Sequence, residues 1–261
     1  MRELAGCRAL VTGASGGLGH DIAVALAREG VDVAISGRNV SALDELARRL
    51  RGFGTAAEPV VADLADPVEA QGLIRRAEDA IGPIGILVNN AGIEIASSFT
   101  LYSEDEVQRI LVVDLLAPLR LIREVLPGML ERGAGHVVNI CSLASKGALP
   151  YGVPYAAAKE GLAGATQSLR AEYAGTGVGF SVVIPGFVTG EGIFARHEAD
   201  GIRAPALFGT TTPEKVGRAV VMAIRRDAPE VLVTPRPLRR FRPFLALAAL
   251  APRTASPAGS A

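Results

Sequence analysis

Tryptophan is absent from the 261 residues, aromatics amount to 5%, and only two cysteines occur, Cys7 and Cys141. Two cysteines cannot build a disulfide framework, and no Cys/His cluster has zinc spacing. Lysine is scarce: of 27 basic residues only Lys146, Lys159 and Lys215 are lysines, so a lysine at a motif position is more telling. No apolar run approaches the ~20 residues of a membrane span. The N-terminal stretch does not read as a secretory signal, since Arg2 and Glu3 lead only into a short apolar segment before a glycine-rich turn. The expectation is a soluble, cytoplasmic chain in a reducing compartment. What is present suits a globular protein: 49% hydrophobic and 21% charged residues, enough to bury a core without staples.

The formal net charge is zero, but it is unevenly spread. Residues 235–261 hold Arg236, Arg239, Arg240, Arg242 and Arg253 and no acid; removing those five leaves 22 bases against 27 acids, so the body carries −5 and the tail +5. An acidic body argues against nucleic acid as a partner.

Apolar runs alternate with helical patterns throughout. Strands are predicted near 7–12, 31–36, 57–62, 85–90, 135–141, 178–184 and 230–234, and helices near 17–29, 41–51, 67–80, 103–131, 154–174 and 213–226. Runs such as Val31-Asp-Val-Ala-Ile35 are short, β-branched and bounded by breakers, as in strands buried on both faces. Strict alternation predicts an α/β fold: a single Rossmann-type domain over residues 1–234, with a doubly wound, seven-stranded parallel sheet covered by helices on both faces. Residues 187–212, rich in glycine and without periodicity, read as a substrate lid. Residues 235–261 form a basic and apolar C-terminal tail.

The first strand ends in Thr12-Gly13-Ala14-Ser15-Gly16-Gly17-Leu18-Gly19, directly before a helix. Missing side chains there let a diphosphate approach the backbone, and the helix N-terminus offers N–H donors and partial positive charge. Strands binding NAD place an acid about 20 residues past the glycines, for the ribose 2′-OH. No acid occurs from Val33 to Leu43, and Arg38 stands where a 2′-phosphate would be met. NADP(H) is therefore the preferred cofactor, with NAD(H) as the alternative. Gly13-Ala-Ser15-Gly-Gly17 also matches the nucleophile elbow of serine hydrolases. That rival fails on context, because it follows the first strand and neither His136 nor His197 follows a well-marked acid.

Three further pieces stand at strand ends: Asn89-Asn90-Ala91-Gly92, Ser142 followed by Tyr155-Ala-Ala-Ala-Lys159, and Pro185-Gly186. With the glycine turn, this ordered set resembles the short-chain dehydrogenase/reductase family from residue 7 to about 234. The resemblance implies catalysis by Tyr155, Lys159 and Ser142. Tyr155 exchanges a proton with the substrate oxygen, Ser142 hydrogen-bonds that oxygen, and Lys159 holds the nicotinamide ribose. Tyr155 and Lys159 are four apart on one helix face, and an ammonium so placed is expected to lower the phenol pKa. By the same resemblance Gly13, Ser15, Gly17, Leu18 and Gly19 form the phosphate turn, and Arg38 takes the 2′-phosphate. Asp63 and Leu64 then contact adenine, Asn90 the ribose side, and Val188 the nicotinamide amide. Asp63 reads equally as a cap for the helix beginning at Pro67.

The departures are three. The family's fourth catalytic residue, an asparagine that helps position a proton-relay water, is here Asp114, which puts the relay and its pH dependence in doubt. The threonine usually four residues after the Pro-Gly glycine is replaced by Gly190, with Thr189 one earlier. Gly16 stands where many NADP-using relatives carry a base. Cys7 and Cys141 read as core, His20 and His136 as structural, and His197 as a residue of the lid. As a helix the apolar run Phe244–Ala251 of the tail would span only ~12 Å, too short to cross a bilayer; lying on an anionic membrane surface, packing on a second subunit and folding over its own body all remain open.

The implied activity is interconversion of a carbonyl and a secondary alcohol on a rather apolar small molecule. Its rival is a cofactor-binding redox sensor with little catalysis. Relatives are usually homodimers or homotetramers.

Overall fold

In the computed structural model, which describes residues 3–147, 149–190 and 209–234, all seven strands of the main sheet are parallel. They are β1 (Arg8–Thr12), β2 (Asp32–Gly37), β3 (Ala57–Val61), β4 (Ile86–Asn89), β5 (Gly135–Ile140), β6 (Val178–Pro185) and β9 (Glu230–Val233), in spatial order β3-β2-β1-β4-β5-β6-β9. The order reverses between β1 and β4, which pair from Ala9↔Ile86 to Val11↔Val88. That reversal opens the crevice where a doubly wound sheet binds its ligand. Predicted and observed strands agree.

Two helical layers cover the sheet. Helices α1 (Gly17–Ala27), α2 (Val40–Arg51) and α8 (Pro213–Arg226) bury Ile22, Leu46, Val220 and Ile224 against one face, together with Val11, Ile35 and Val183. On the other face α4 (Leu73–Ile81) and α6 (Ala117–Glu131) pack Leu73 and Leu121 with Leu10, Leu87 and Phe180. There too, α7 (Val153–Glu172) sets Leu162 and Ala163 against Val182 and Ile184. Gly217 lets α8 lie tight on α1, since a Cβ there would sit 2.7 Å from the Asp21 carbonyl oxygen.

Two predicted helices are broken. The one expected over 67–80 is α3 (Pro67–Ala70) followed by α4, parted at Gly72 in the left-handed region at φ 71°. Its cap is Asp66, whose Oδ1 accepts from the Val68 N–H at 2.7 Å, so the reading of Asp63 as that cap is corrected. The one expected over 103–131 is α5 (Glu104–Leu111), a π-helical turn (Val112–Leu116) and α6. In that turn the Ala117 N–H donates to the Val112 carbonyl, five residues back. Pro118 supplies the reason: it has no N–H for the Asp114 carbonyl, and its ring crowds the α-helical path.

Cys141 is buried as expected, while Cys7 lies just before β1 and is only partly buried. The ends of the expected lid form a two-stranded parallel ribbon, β7 (Phe187–Val188) with β8 (Thr210–Thr211). The rest of the lid, with His197, and the tail from 235 lie outside the described residues. Among the described residues no helix is long and apolar enough to cross a membrane.

Candidate active site

The strand ends at the switch point open into a cleft of about 650 Å³. Gly13, Ser15, Gly17, Leu18, Arg38, Asp63, Leu64, Asn90, Ser142, Tyr155, Lys159 and Val188 all line it. Gly19 and Asp114 do not. A Cβ at Gly19 would collide with the Gly13 carbonyl oxygen, so this glycine lets α1 close on the turn from behind.

One corner of the cleft has the shape of a phosphate cradle. Gly13 has φ 66°, and a Cβ on it would lie 2.8 Å from the Ala91 Cα. Gly16 caps α1 with no side-chain bond, leaving that helix end facing the cleft. Thr12 and Asn90 brace the turn. Thr12 Oγ1 accepts from the Asn90 and Ala91 N–H groups at 3.0 and 3.1 Å, and Asn90 Nδ2 donates to the Thr12 and Gly13 carbonyls at 2.9 and 3.3 Å. Arg38 is largely exposed and lies 3.8 Å from Asp63. A bound dinucleotide therefore fits this corner.

Gly16 also has open space where a side chain would project, and its φ of 169° is ordinary extended backbone. Gly16→Arg is accordingly expected to fold normally and to tighten NADPH binding about tenfold through charge-assisted contact with phosphate. Fluorescence titration at two salt concentrations checks it: the gain should shrink at high salt.

The opposite corner holds Ser142, Tyr155 and Lys159. Ser142 follows β5 and accepts at Oγ from the Ala144 N–H at 3.2 Å. Tyr155 and Lys159 project from the first turns of α7, both buried. Lys159 Nζ stands 5.6 Å from the Tyr155 ring centre and donates to the Ile140 carbonyl at 3.3 Å. Behind it, in the π-helical turn, Asp114 is fully buried: its Oδ2 is 3.1 Å from Lys159 Nζ and its Oδ1 accepts from the Ile93 N–H at 2.8 Å. Burial opposes the charge on Lys159, but the Asp114 carboxylate and then Tyr155 outweigh it and hold the ammonium above the ordinary lysine range.

Lys159 does lower the Tyr155 phenol as expected, but burial sets the net direction. Burial pushes the phenol up to about 12; Lys159 pulls it down but does not prevail, while Asp114 and Glu94 push it further up. In the cofactor-free chain burial thus favours the protonated phenol. Burial likewise raises the Cys141 thiol to about 11, which leaves it an inert core residue.

Several supporting residues were missed by reading the sequence. Asn89 Nδ2 donates to Asn139 Oδ1, Asn139 Nδ2 donates to Thr166 Oγ1, each at 2.8 Å, and Thr166 donates to the Leu162 carbonyl. This buried chain ties β4 and β5 to α7, the helix carrying Tyr155 and Lys159. Polar residues at central-strand positions were the available signal. Thr189 is taken up by the small ribbon, its Oγ1 and N–H both donating to the Thr211 carbonyl. His136, at the start of β5 and so at the far edge of the sheet from Ser15, shares a 2.8 Å hydrogen bond with Ser181. His136 is thereby kept apart from Ser15.

A phosphate cradle on one side of a switch-point crevice and a phenol with a buried ammonium on the other define a class, the dinucleotide-dependent oxidoreductases. The comparisons narrow it. The family model described as short chain dehydrogenase matches residues 8–199. A ketoacyl reductase of Nostoc sp., HetN, is 41% identical over 248 residues, covering 95% of this chain and 85% of that protein. Gluconate 5-dehydrogenase of Gluconobacter oxydans is 33% identical over 233 residues, covering 87% and 91%. A crystal structure of gluconate 5-dehydrogenase from Burkholderia cenocepacia, in complex with NADP and tartrate, superposes with a TM-score of 0.77 at 29% identity over 88% of this chain and 94% of that one. The chain belongs to the short-chain dehydrogenase family, and it is an NAD(P)-dependent oxidoreductase acting on CH–OH and C=O groups.

Proposed function

We propose that the protein is an NADP-preferring reductase that interconverts a carbonyl and a secondary alcohol on a rather apolar small molecule. The observation that carries this reading is the placing of Ser142, Tyr155 and Lys159 together on the cleft wall, with the Lys159 ammonium 5.6 Å from the Tyr155 ring centre. The bound nicotinamide supplies a hydride in reduction and accepts one in oxidation. The backbone turn of Gly13, Ser15, Gly17 and Leu18 would hold the diphosphate, with Gly19 letting α1 approach it. Arg38 would take the 2′-phosphate, Asp63 and Leu64 would flank the adenine, Asn90 would steady the turn and the ribose side, and Val188 would meet the nicotinamide amide. Lys159 has a route to the ribose because it lines the cleft.

Ser142 donates a hydrogen bond to the carbonyl oxygen as charge gathers there. Tyr155 then transfers its proton to that oxygen. Ile93, Val113, Leu143, Leu149 and Phe187 on the cleft wall support an apolar substrate. A domain spanning 1–234, with 187–212 as lid and 235–261 as a separate tail, belongs to the same reading. So does assembly as a homodimer or homotetramer, supported by the exposed Phe99 and Leu101 and checked by sedimentation.

The experiment is nicotinamide absorbance with purified protein, NADPH and a panel of apolar ketones. Turnover supports the reading; tight NADPH binding without turnover on any ketone would favour a redox sensor. Arg38→Ala is expected to weaken NADPH about 10- to 100-fold, the worth of charge-assisted hydrogen bonds, and NADH hardly at all. Equal losses for both cofactors would remove Arg38 from the 2′-phosphate.

A further inference from the structure

A buried carboxylate touching the active-site lysine changes what that lysine can do. Asp114 is held from two sides, by the Ile93 N–H at 2.8 Å and by Lys159 Nζ at 3.1 Å. Gly92 leaves the space for this pair: a Cβ there would lie 2.9 Å from Asp114 Oδ2 and 3.2 Å from Lys159 Nζ. The π-helical turn before Pro118 sets Asp114 at this depth. A lone ammonium 5.6 Å from the phenol ring would favour phenolate strongly. An ion pair presents no net charge, and its field falls away faster than that of a single ion.

We infer that Asp114 is a positioning residue that pins Lys159 and cancels its charge, so that Tyr155 serves as a proton-donating phenol and the site is tuned toward carbonyl reduction near neutral pH. The inference rests on the proposed proton transfer by Tyr155. In reduction the carbonyl carbon gains a hydride, its π pair moves to oxygen, and the Tyr155 proton completes the O–H bond, leaving phenolate to be reprotonated from solvent. Oxidation needs the phenolate at the outset, the form this charge arrangement disfavours. The groups facing Tyr155 agree. Burial raises its pKa most, and Asp114 from the π-helical turn and then Glu94 from the loop after β4 raise it further. Lys159 and Ser142 act in the other direction. Cys141, after β5, faces Lys159 and is itself held protonated by burial.

The test is Asp114→Asn, read as kcat/KM against pH in both directions, with NADPH and a ketone and with NADP and the matching alcohol. Near-isosteric exchange leaves the Lys159 charge uncompensated. The acid limb of oxidation should then move down by at least about one pH unit. The alkaline limb of reduction should follow it, so that oxidation at neutral pH rises as alkaline reduction falls. A merely structural loosening would lower both rates at every pH without moving a limb. Unmoved limbs, or an oxidation limb moving up, overturn the inference.

A second measurement needs no change at Asp114. The phenolate absorbance of the wild-type protein minus that of Tyr155→Phe, titrated without cofactor, should show no ionisation near neutrality; a phenolate rising there overturns the inference as well. If Tyr155→Phe keeps its turnover, the proton-transfer reading itself has failed. If that variant is inactive and the limbs of Asp114→Asn stay fixed, only the role of Asp114 is lost.

Discussion

Tyr155→Phe is expected to lower carbonyl reduction by about 10³-fold or more, within the range for removal of a positioned general acid, while NADPH affinity changes little. The ring is buried among Ile110, Ala144, Ile93 and Leu149, so phenylalanine keeps the packing and loses only the hydroxyl. The loss should therefore fall on kcat rather than on stability or cofactor binding. Ser142 would still polarise the carbonyl, but two described neighbours do not replace the phenol as proton donor: Cys141 is buried in the core, and the Lys159 ammonium is held by Asp114 and Ile140. Steady-state kinetics with a cofactor titration on the same preparation checks the split. Retained turnover would remove Tyr155 from the reaction.

Lys159→Met is expected to cost about 3–5 kcal/mol of stability at neutral pH, because it strands the Asp114 carboxylate in the core. The loss should depend on pH. Burial already holds the Asp114 carboxyl above its ordinary value, and without the ammonium it rises further. The folded variant then binds a proton at pH values where the unfolded chain has released it. Its stability consequently rises as pH falls through the folded-state pKa, levelling off only below the unfolded value. Adding Asp114→Asn to Lys159→Met should recover much of the loss by replacing a buried charge with a neutral amide. Urea unfolding of the three proteins at neutral and mildly acid pH checks this. A loss independent of pH would mean that Lys159 contributes through its packing alone.

The contrast between these two residues shows where sequence reading runs out. Tyr155 and Lys159 could be paired from their spacing, since residues four apart share a helix face. The sign of the phenol's shift could not, because it depends on how deeply α7 is buried and on a carboxylate that arrives from another helix. Asp114 drew notice as an unusual residue, yet its contact with Lys159 depends on a π-helical turn that no periodicity announces. The Asn89–Asn139–Thr166 chain was hidden in the same way, its members being 50 and 27 residues apart.

The seven strands, their parallel arrangement, the glycine turn and the motif positions of Ser142, Tyr155 and Lys159 were legible locally. Runs of β-branched residues between breakers, alternation with helices, and glycines at a strand end carry that information within a few residues. The break at Gly72, the choice of Asp66 over Asp63 as a cap, the withdrawal of Gly19 from the cleft wall and the pairing of Asp114 with Lys159 were decided only by the tertiary structure. Each depends on distance and burial between segments far apart in the chain, and local composition does not encode those quantities.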